Sequence, residues 1–146
     1  MEINGVAHII LTVNDFKISV PFYEKLMPFL GLKPVMKSEQ FFYYVGGRTA
    51  IGIVPAEAEH RGGRFVQRRS GLHHVCLRAR ERGDVDEIFR FLKELGAEIV
   101  HPPEDGPWAP GYYSVLFEDP DGIRIEVNHV PGKGLLDPGA PKLDRY

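Results

Sequence analysis

Phe117-Glu118-Asp119-Pro120-Asp121-Gly122-Ile123-Arg124-Ile125-Glu126-Val127 is the stretch that decides how this chain is read. Asp-Pro-Asp-Gly has the residues of a type I turn: Asp opens it, Pro presets φ at the second position, and Gly closes it. After the turn, apolar and polar residues alternate strictly. Ile123, Ile125 and Val127 fall on one face of a strand, and Arg124, Glu126 and Asn128 on the other. The stretch predicts a β-hairpin and leaves one functional question: whether the face bearing Glu126 meets water or a cavity. A solvated polar face is the ordinary outcome for such a strand. Two histidines elsewhere in the chain make the cavity worth considering.

The chain has 146 residues, 43% of them hydrophobic, and a formal net charge of −2. That length suits a single domain, or two small modules sharing a core. The near-neutral charge gives no case for nucleic acid or a membrane surface as partner. No apolar run approaches the roughly 20 residues needed to span a bilayer. Met1-Glu2-Ile3-Asn4-Gly5 has neither the basic start nor the apolar core of a signal peptide. Cys76 is the single cysteine, which excludes an intramolecular disulfide and a cysteine-only zinc site. A cytoplasmic protein is expected.

Residues 6–13, Val-Ala-His-Ile-Ile-Leu-Thr-Val, are rich in β-branched residues and predict a strand with His8, Ile10 and Thr12 on one face. Asn14-Asp15 can cap a following helix over about 16–30, which carries Phe22, Tyr23, Leu26 and Leu30 at helical spacing and stops at Gly31. Pro21 and Pro28 each remove a backbone donor, so a late start or bend and a disturbed last turn are expected. Strands are predicted near 32–38, 40–45 and 48–54, with Gly46-Gly47 turning between the last two. Residues 55–70 hold Arg61, Arg64, Arg68 and Arg69 and read as a long exposed connection.

The pattern then starts again. Leu72–Ala79 is a strand with His74, Cys76 and Arg78 on one face. Asp84-Val85-Asp86-Glu87 has capping-box spacing and opens a helix bearing Val85, Ile88, Phe89, Leu92 and Leu95 on one side, ended by Gly96. Strands near 97–101, 112–118 and 122–129 complete the second copy. His8 to Gly31 is 23 positions and His74 to Gly96 is 22. Two copies of strand, helix and three strands support one another better than any single element does. The second copy departs from the first at His101-Pro-Pro-Glu-Asp-Gly-Pro-Trp-Ala-Pro-Gly111, a stiff loop with the only tryptophan, Trp108. Trp108 suits a pocket lid, or equally a ring folded back onto the core. Residues 131–146 have little periodicity and predict either a loose tail or an arm over a neighbour.

His8 and His74 occupy the same position of the same strand in the two copies, and Glu126 lies on the polar face of the last strand. If the two copies face each other, these three side chains can surround one point, giving two imidazoles and a carboxylate. That set binds a first-row divalent metal and leaves positions open for substrate or water. Cys76, which shares a strand face with His74, and Tyr112 are candidate wall residues alongside Trp108.

His8-Ile-Ile-Leu-Thr-Val-Asn-Asp, Phe22-Tyr-Glu-Lys-Leu, His74-Val-Cys-Leu and Asp119-Pro-Asp-Gly-Ile-Arg-Ile-Glu126 together resemble the vicinal oxygen chelate superfamily. That group contains glyoxalase I, type I extradiol dioxygenases, methylmalonyl-CoA epimerase, fosfomycin-resistance enzymes and bleomycin-resistance proteins. The resemblance spans about residues 5–130. It implies an α+β fold in which two βαβββ modules, about 5–55 and 71–130 joined by a linker at 56–70, pair into a cupped, barrel-like mixed sheet with the helices outside. It implies one divalent ion per site, Zn, Ni, Mn or Fe, held by His8, His74 and Glu126, with Glu126 also a candidate proton shuttle. The two modules can pair within one chain or exchange with a second; unpaired strand edges and apolar inner faces favour exchange, so the expectation is a homodimer in which the first module of one chain completes a site with the second module of its partner.

Departures from the resembled branches narrow the activity. Glyoxalase I and the epimerase carry a fourth ligand on the last strand of the first repeat, where this chain has Gly52. Extradiol dioxygenases usually place a Tyr two residues before the Asp-Pro and a His somewhat earlier; here that position is Phe117, and 109–116 hold no His. Fosfomycin enzymes commonly have a Thr two residues after the first His, and here it is Ile10. Binders of the bleomycin type lack the metal ligands. The expected function is a metal-dependent, glyoxalase-like lyase or isomerase acting on a small oxygenated substrate. The alternatives are an Fe(II) extradiol-type dioxygenase and a non-catalytic small-molecule binder.

Overall fold

A computed structural model of the protein describes residues 1–138. The chain divides into two compact units, Met1–Phe65 and Val66–Tyr146, so the boundary falls inside the predicted linker. Each unit is a four-stranded mixed sheet with one 14-residue helix. This is the α+β arrangement of two βαβββ modules that the internal repeat predicts.

In the first unit β1 (His8–Val13) is followed by α1 (Phe16–Phe29), β2 (Lys33–Lys37), β3 (Phe42–Gly46) and β4 (Thr49–Pro55). The sheet order is β1-β4-β3-β2, with β1 and β4 parallel and the other pairs antiparallel. Leu11 and Val13 of β1, Ile51 and Ile53 of β4, and Tyr23, Leu26 and Met27 of α1 are buried. His8, Ile10 and Thr12 point to the other, exposed face, as alternation requires. β2 is exposed along its whole length; Pro34 and its two lysines make it a poor template for further pairing.

The late start and the disturbed last turn expected of the prolines are not found. The helix starts on time at Phe16, because Asp15 accepts a hydrogen bond from the Lys17 N–H at 2.8 Å and caps the first turn. Its last turn is orderly. Leu32 N donates to Met27 O and Gly31 N to Pro28 O, both at 2.9 Å, with Gly31 at φ 78°. This closing motif uses the Pro28 carbonyl, which proline retains, and makes no demand on the missing N–H.

The second unit repeats the order with β5 (Val75–Arg78), α2 (Arg82–Leu95), β6 (Glu98–Asp105), β7 (Tyr113–Glu118) and β8 (Arg124–His129), arranged β5-β8-β7-β6. Val85, Ile88 and Leu92 of α2 are buried along with Val75, Val115, Phe117, Ile125 and Val127 of the sheet. The helix starts earlier than Asp84: Glu81 is the cap, and the Asp84 carboxylate reaches back to the Glu81 N–H at 2.9 Å. Asp84 thus serves as the third helical residue of a capping box and does not open the helix. β6 runs on to Asp105, with register shifts around His101, since Pro102 and Pro103 have no N–H to offer β7.

The Asp119–Gly122 turn joins β7 to β8. Gly122 N donates to Asp119 O, and the buried Asp119 carboxylate accepts from Asp121 N at 2.9 Å and Ile123 N at 2.8 Å. Gly122 has φ 82°, which explains why glycine closes this turn.

The connection is pinned at both ends. In the first unit Asn14 bonds Gly62 N and Gly63 O, and in the second Arg124 holds Gln67. A short 3₁₀ turn at Gly134–Leu136 begins the predicted tail, and 139–146 lie outside the described residues. No helix among the described residues is long and apolar enough to cross a membrane.

Candidate metal and substrate site

Strand register places the candidate residues. On the face of the second sheet away from α2, Cys76 pairs with Glu126, Glu126 with Leu116, and Leu116 with His101, forming one row across four strands. Glu126 is only 8% exposed. The polar face of β8 therefore meets a lined cavity and does not simply face water. The cavity has a volume of about 580 Å³ and is lined by His74, His101, Trp108, Tyr112, Leu116 and Glu126 among others. That volume suits a small ligand.

His74 immediately precedes β5, and its Nε2 lies 3.1 Å from Glu126 Oε2. The other Glu126 oxygen, Oε1, accepts a hydrogen bond from the Tyr112 hydroxyl at 2.5 Å. Burial, then the hydrogen bond to Glu126, raises the Tyr112 hydroxyl well above its ordinary value. Cys76 keeps solvent access as a residue, yet its thiol adjoins Glu126 and Tyr112. Partial burial first, and then the Glu126 charge, push the thiol up to about 12. The direction does not depend on how much water the thiol retains, because the carboxylate alone disfavours a thiolate beside it. Trp108 is 50% exposed and lines the cavity, so of its two expected placements the core one does not hold.

The donor set fits half of a metal site. Two ligand atoms at about 2.1 Å from one ion, at tetrahedral or octahedral angles, stand roughly 3.0–3.4 Å apart. The 3.1 Å between His74 Nε2 and Glu126 Oε2 falls in that range. Among the described residues, no group of three or more His, Cys, Asp or Glu side chains is gathered so as to hold a metal ion. His8 stands on β1 of the first unit, exposed.

The first sheet carries the equivalent row, Ile10, Gly52, Tyr43 and Met36. Gly52 occupies the place that Glu126 has in the second sheet. A Cβ on Gly52 would stand 2.5 Å from Ile10 Cδ1, 3.0 Å from Phe41 Cε2 and 3.1 Å from Tyr43 Cδ2. The position without a ligand is thus also filled by side chains of β1, β3 and the residue just before β3.

The Glyoxalase/Bleomycin resistance protein/Dioxygenase superfamily profile matches residues 5–127. The chain belongs to that superfamily. A superfamily fold from Bacillus halodurans, whose assignment as a glyoxalase is provisional, is 29% identical, with a TM-score of 0.76 over 87% of this chain and 96% of that one. The uncharacterized protein YqjT of Bacillus subtilis is 29% identical over 82% of this chain and 94% of its own length. The metallothiol transferase FosB of Bacillus licheniformis is 24% identical over 87% of this chain and 76% of its own length.

Sequence reasoning missed several residues that line this cavity. His101 already fell at the end of the predicted strand 97–101, but only its pairing with Leu116 puts it in the row with Glu126. Gln67 has no local signal; it reaches the cavity because Arg124 donates to its Oε1 at 2.6 Å. His73, beside His74, also lines the cavity.

Proposed function

We propose that this chain is a metal-dependent enzyme, a glyoxalase-like lyase or isomerase for a small substrate with two neighbouring oxygens. The observation that carries the reading is the 3.1 Å pair of His74 Nε2 and Glu126 Oε2 on the wall of a ligand-sized cavity. His8, His74 and Glu126 are the ligands in this reading, and superfamily membership supports it. A bound divalent ion supplies Lewis acidity toward substrate oxygens. The protein's own contribution is division of labour on Glu126. Oε2 faces His74, while Oε1, hydrogen-bonded to Tyr112, is the atom that would take a proton from a substrate carbon and return it to the neighbouring one. Trp108 and Leu116 supply apolar wall; Cys76, expected as a wall residue, is not among the lining side chains and stands beside Glu126 as a neutral thiol.

Assembly is part of the proposal. The first sheet leaves Ile10 41% and Met36 54% exposed on the row that also holds Tyr43 and Gly52. Such a face favours a partner surface, and we assign it to a two-fold homodimer in which His8 of one copy joins His74 and Glu126 of the other.

The likeness to FosB favours thiol transfer as a second reading. Ring cleavage is disfavoured, since Phe117, standing where the resembled dioxygenases carry a Tyr, is fully buried in the core. The test loads purified protein with Zn(II), Ni(II), Mn(II) or Fe(II) and measures stoichiometry. Each form is then assayed with thiol adducts of 2-oxoaldehydes, with an epoxide plus thiol, and with a catechol under oxygen. Lack of stoichiometric metal binding would refute the enzyme reading; turnover of the epoxide alone would select the second.

A further inference from the structure

A chain of hydrogen bonds behind His74 leaves each partner only one role. Arg124 Nε donates to Glu118 Oε1 at 3.1 Å, and Arg124 Nη1 donates to Gln67 Oε1 at 2.6 Å. A guanidinium can only donate, so the Gln67 atom facing it is the amide oxygen. The amide nitrogen, Nε2, is then the atom 3.3 Å from His73 Nδ1. An amide nitrogen also can only donate, which makes His73 Nδ1 an acceptor. His73 Nδ1 lies 2.7 Å from His74 Nδ1, and two unprotonated nitrogens do not approach so closely. The proton between the two rings is then assigned to His74, whose N–H takes the short contact while the Gln67 amide shares the same lone pair at the longer distance.

We infer that His73, held by Gln67 and Arg124, is a positioning residue that fixes the His74 ring with its proton on Nδ1 and presents the Nε2 lone pair toward Glu126. The two atoms facing each other at 3.1 Å, a ring nitrogen lone pair and a carboxyl oxygen, then need a positive centre between them, a metal ion or a proton. The inference rests on the reading of His74 as a metal ligand and adds what orients it. A second partner on the far ring nitrogen is the usual way a ligating imidazole is fixed. Here that partner is another imidazole, and its acceptor role is set two residues away in the chain of bonds, at an arginine on the strand that carries Glu126. One strand thereby supplies the carboxylate and, through Arg124, sets the tautomer of the histidine opposite it.

The test uses the full chain and Co(II) titration against a competing chelator, with three variants. His73→Leu removes the acceptor and should weaken Co(II) binding about 10–100-fold. His73→Gln offers an amide oxygen to the same N–H and should recover most of that loss, which a purely steric role for His73 would not predict. His74→Ala is the control for the underlying reading: unchanged affinity there overturns both. If His74→Ala abolishes binding while His73→Leu binds as wild type, the metal reading stands and the positioning role is wrong. An independent readout needs no variant. In uniformly ¹⁵N-labelled protein with Zn(II), a scalar coupling between the Nδ1 atoms of His73 and His74 across the shared proton is expected. Its absence in a spectrum that resolves both rings overturns the inference.

Discussion

Glu126 uses its two oxygens on two different neighbours: Oε2 lies 3.1 Å from His74 Nε2, and Oε1 accepts from the Tyr112 hydroxyl at 2.5 Å. Both neighbours come from outside the strand that carries Glu126. The pairing depends on β5 running parallel to β8 in the register Cys76↔Glu126, and on β7 following the loop that holds Tyr112. Replacing His74 or Glu126 by Ala should reduce divalent-metal affinity by more than about 100-fold, beyond the loss typical of an outer partner. His8→Ala should do the same if the three residues share one ion. Chelator-competition titration with Zn(II) measures all three.

The shared-site dimer predicts complementation. When His8→Ala and His74→Ala chains are unfolded together and refolded, one of the two sites in each mixed dimer receives neither mutation. Metal stoichiometry should recover in the mixture and not in either variant alone. No recovery would mean that each site is built from a single chain.

Asp119→Ala should destabilise the second unit by about 1–3 kcal/mol in urea unfolding, because the Asp121 and Ile123 N–H groups lose their acceptor in a buried turn. A chain that folds despite this should also bind metal less tightly, since the turn sets the register that places Glu126.

At Gly52 the sign is set by crowding. Gly52→Ala puts a methyl 2.5 Å from Ile10 Cδ1 and close to Phe41 and Tyr43; the free end of the exposed Ile10 side chain can swing away, so a loss of only about 1 kcal/mol is expected from overpacking. Shortening the neighbour, in Ile10→Ala with Gly52→Ala, should return part of it. A double-mutant cycle measures that coupling, and additive losses would contradict the contact.

The Arg82–Asp105 pair makes a prediction about acid. Arg82 bonds Asp105 through two nitrogens, at 2.7 and 3.2 Å, and the Asp105 carboxyl is lowered, first through that hydrogen bond. A carboxyl lowered in the folded state stabilises the fold above its unfolded value of about 3.9, and that contribution fades as pH falls through the folded value. Asp105→Asn should therefore lower stability slightly across the neutral range, flatten the acid limb below about pH 4 and converge with the wild type at the acid end, the effect being small because both groups are solvated. Urea midpoints between pH 2.5 and 7 read it directly.

Much of this chain was legible in order. The Asp119–Gly122 turn, the alternation after it, and the matched spacing of His8 to Gly31 and His74 to Gly96 are local signals. Local signals suffice for a module whose helix and strands are joined by short connections. Where the reading slipped, the cause was tertiary or cooperative. The prolines of α1 were tolerated because a capped start and a carbonyl-based stop surround them. The Pro102-Pro103 segment stayed in an edge strand, where one side of the backbone needs no partner. Sequence also named His74, Glu126, Tyr112 and Trp108 as candidates from repeat position and residue type. Only the folded second unit brought His74, Glu126 and Tyr112 into contact. It alone enlisted Gln67 and His73, whose roles come from an arginine 57 positions from Gln67 in sequence. Periodicity reports which face a side chain takes, because that depends on its own backbone. It carries no information on which distant donor meets it, because that depends on strand register across the sheet.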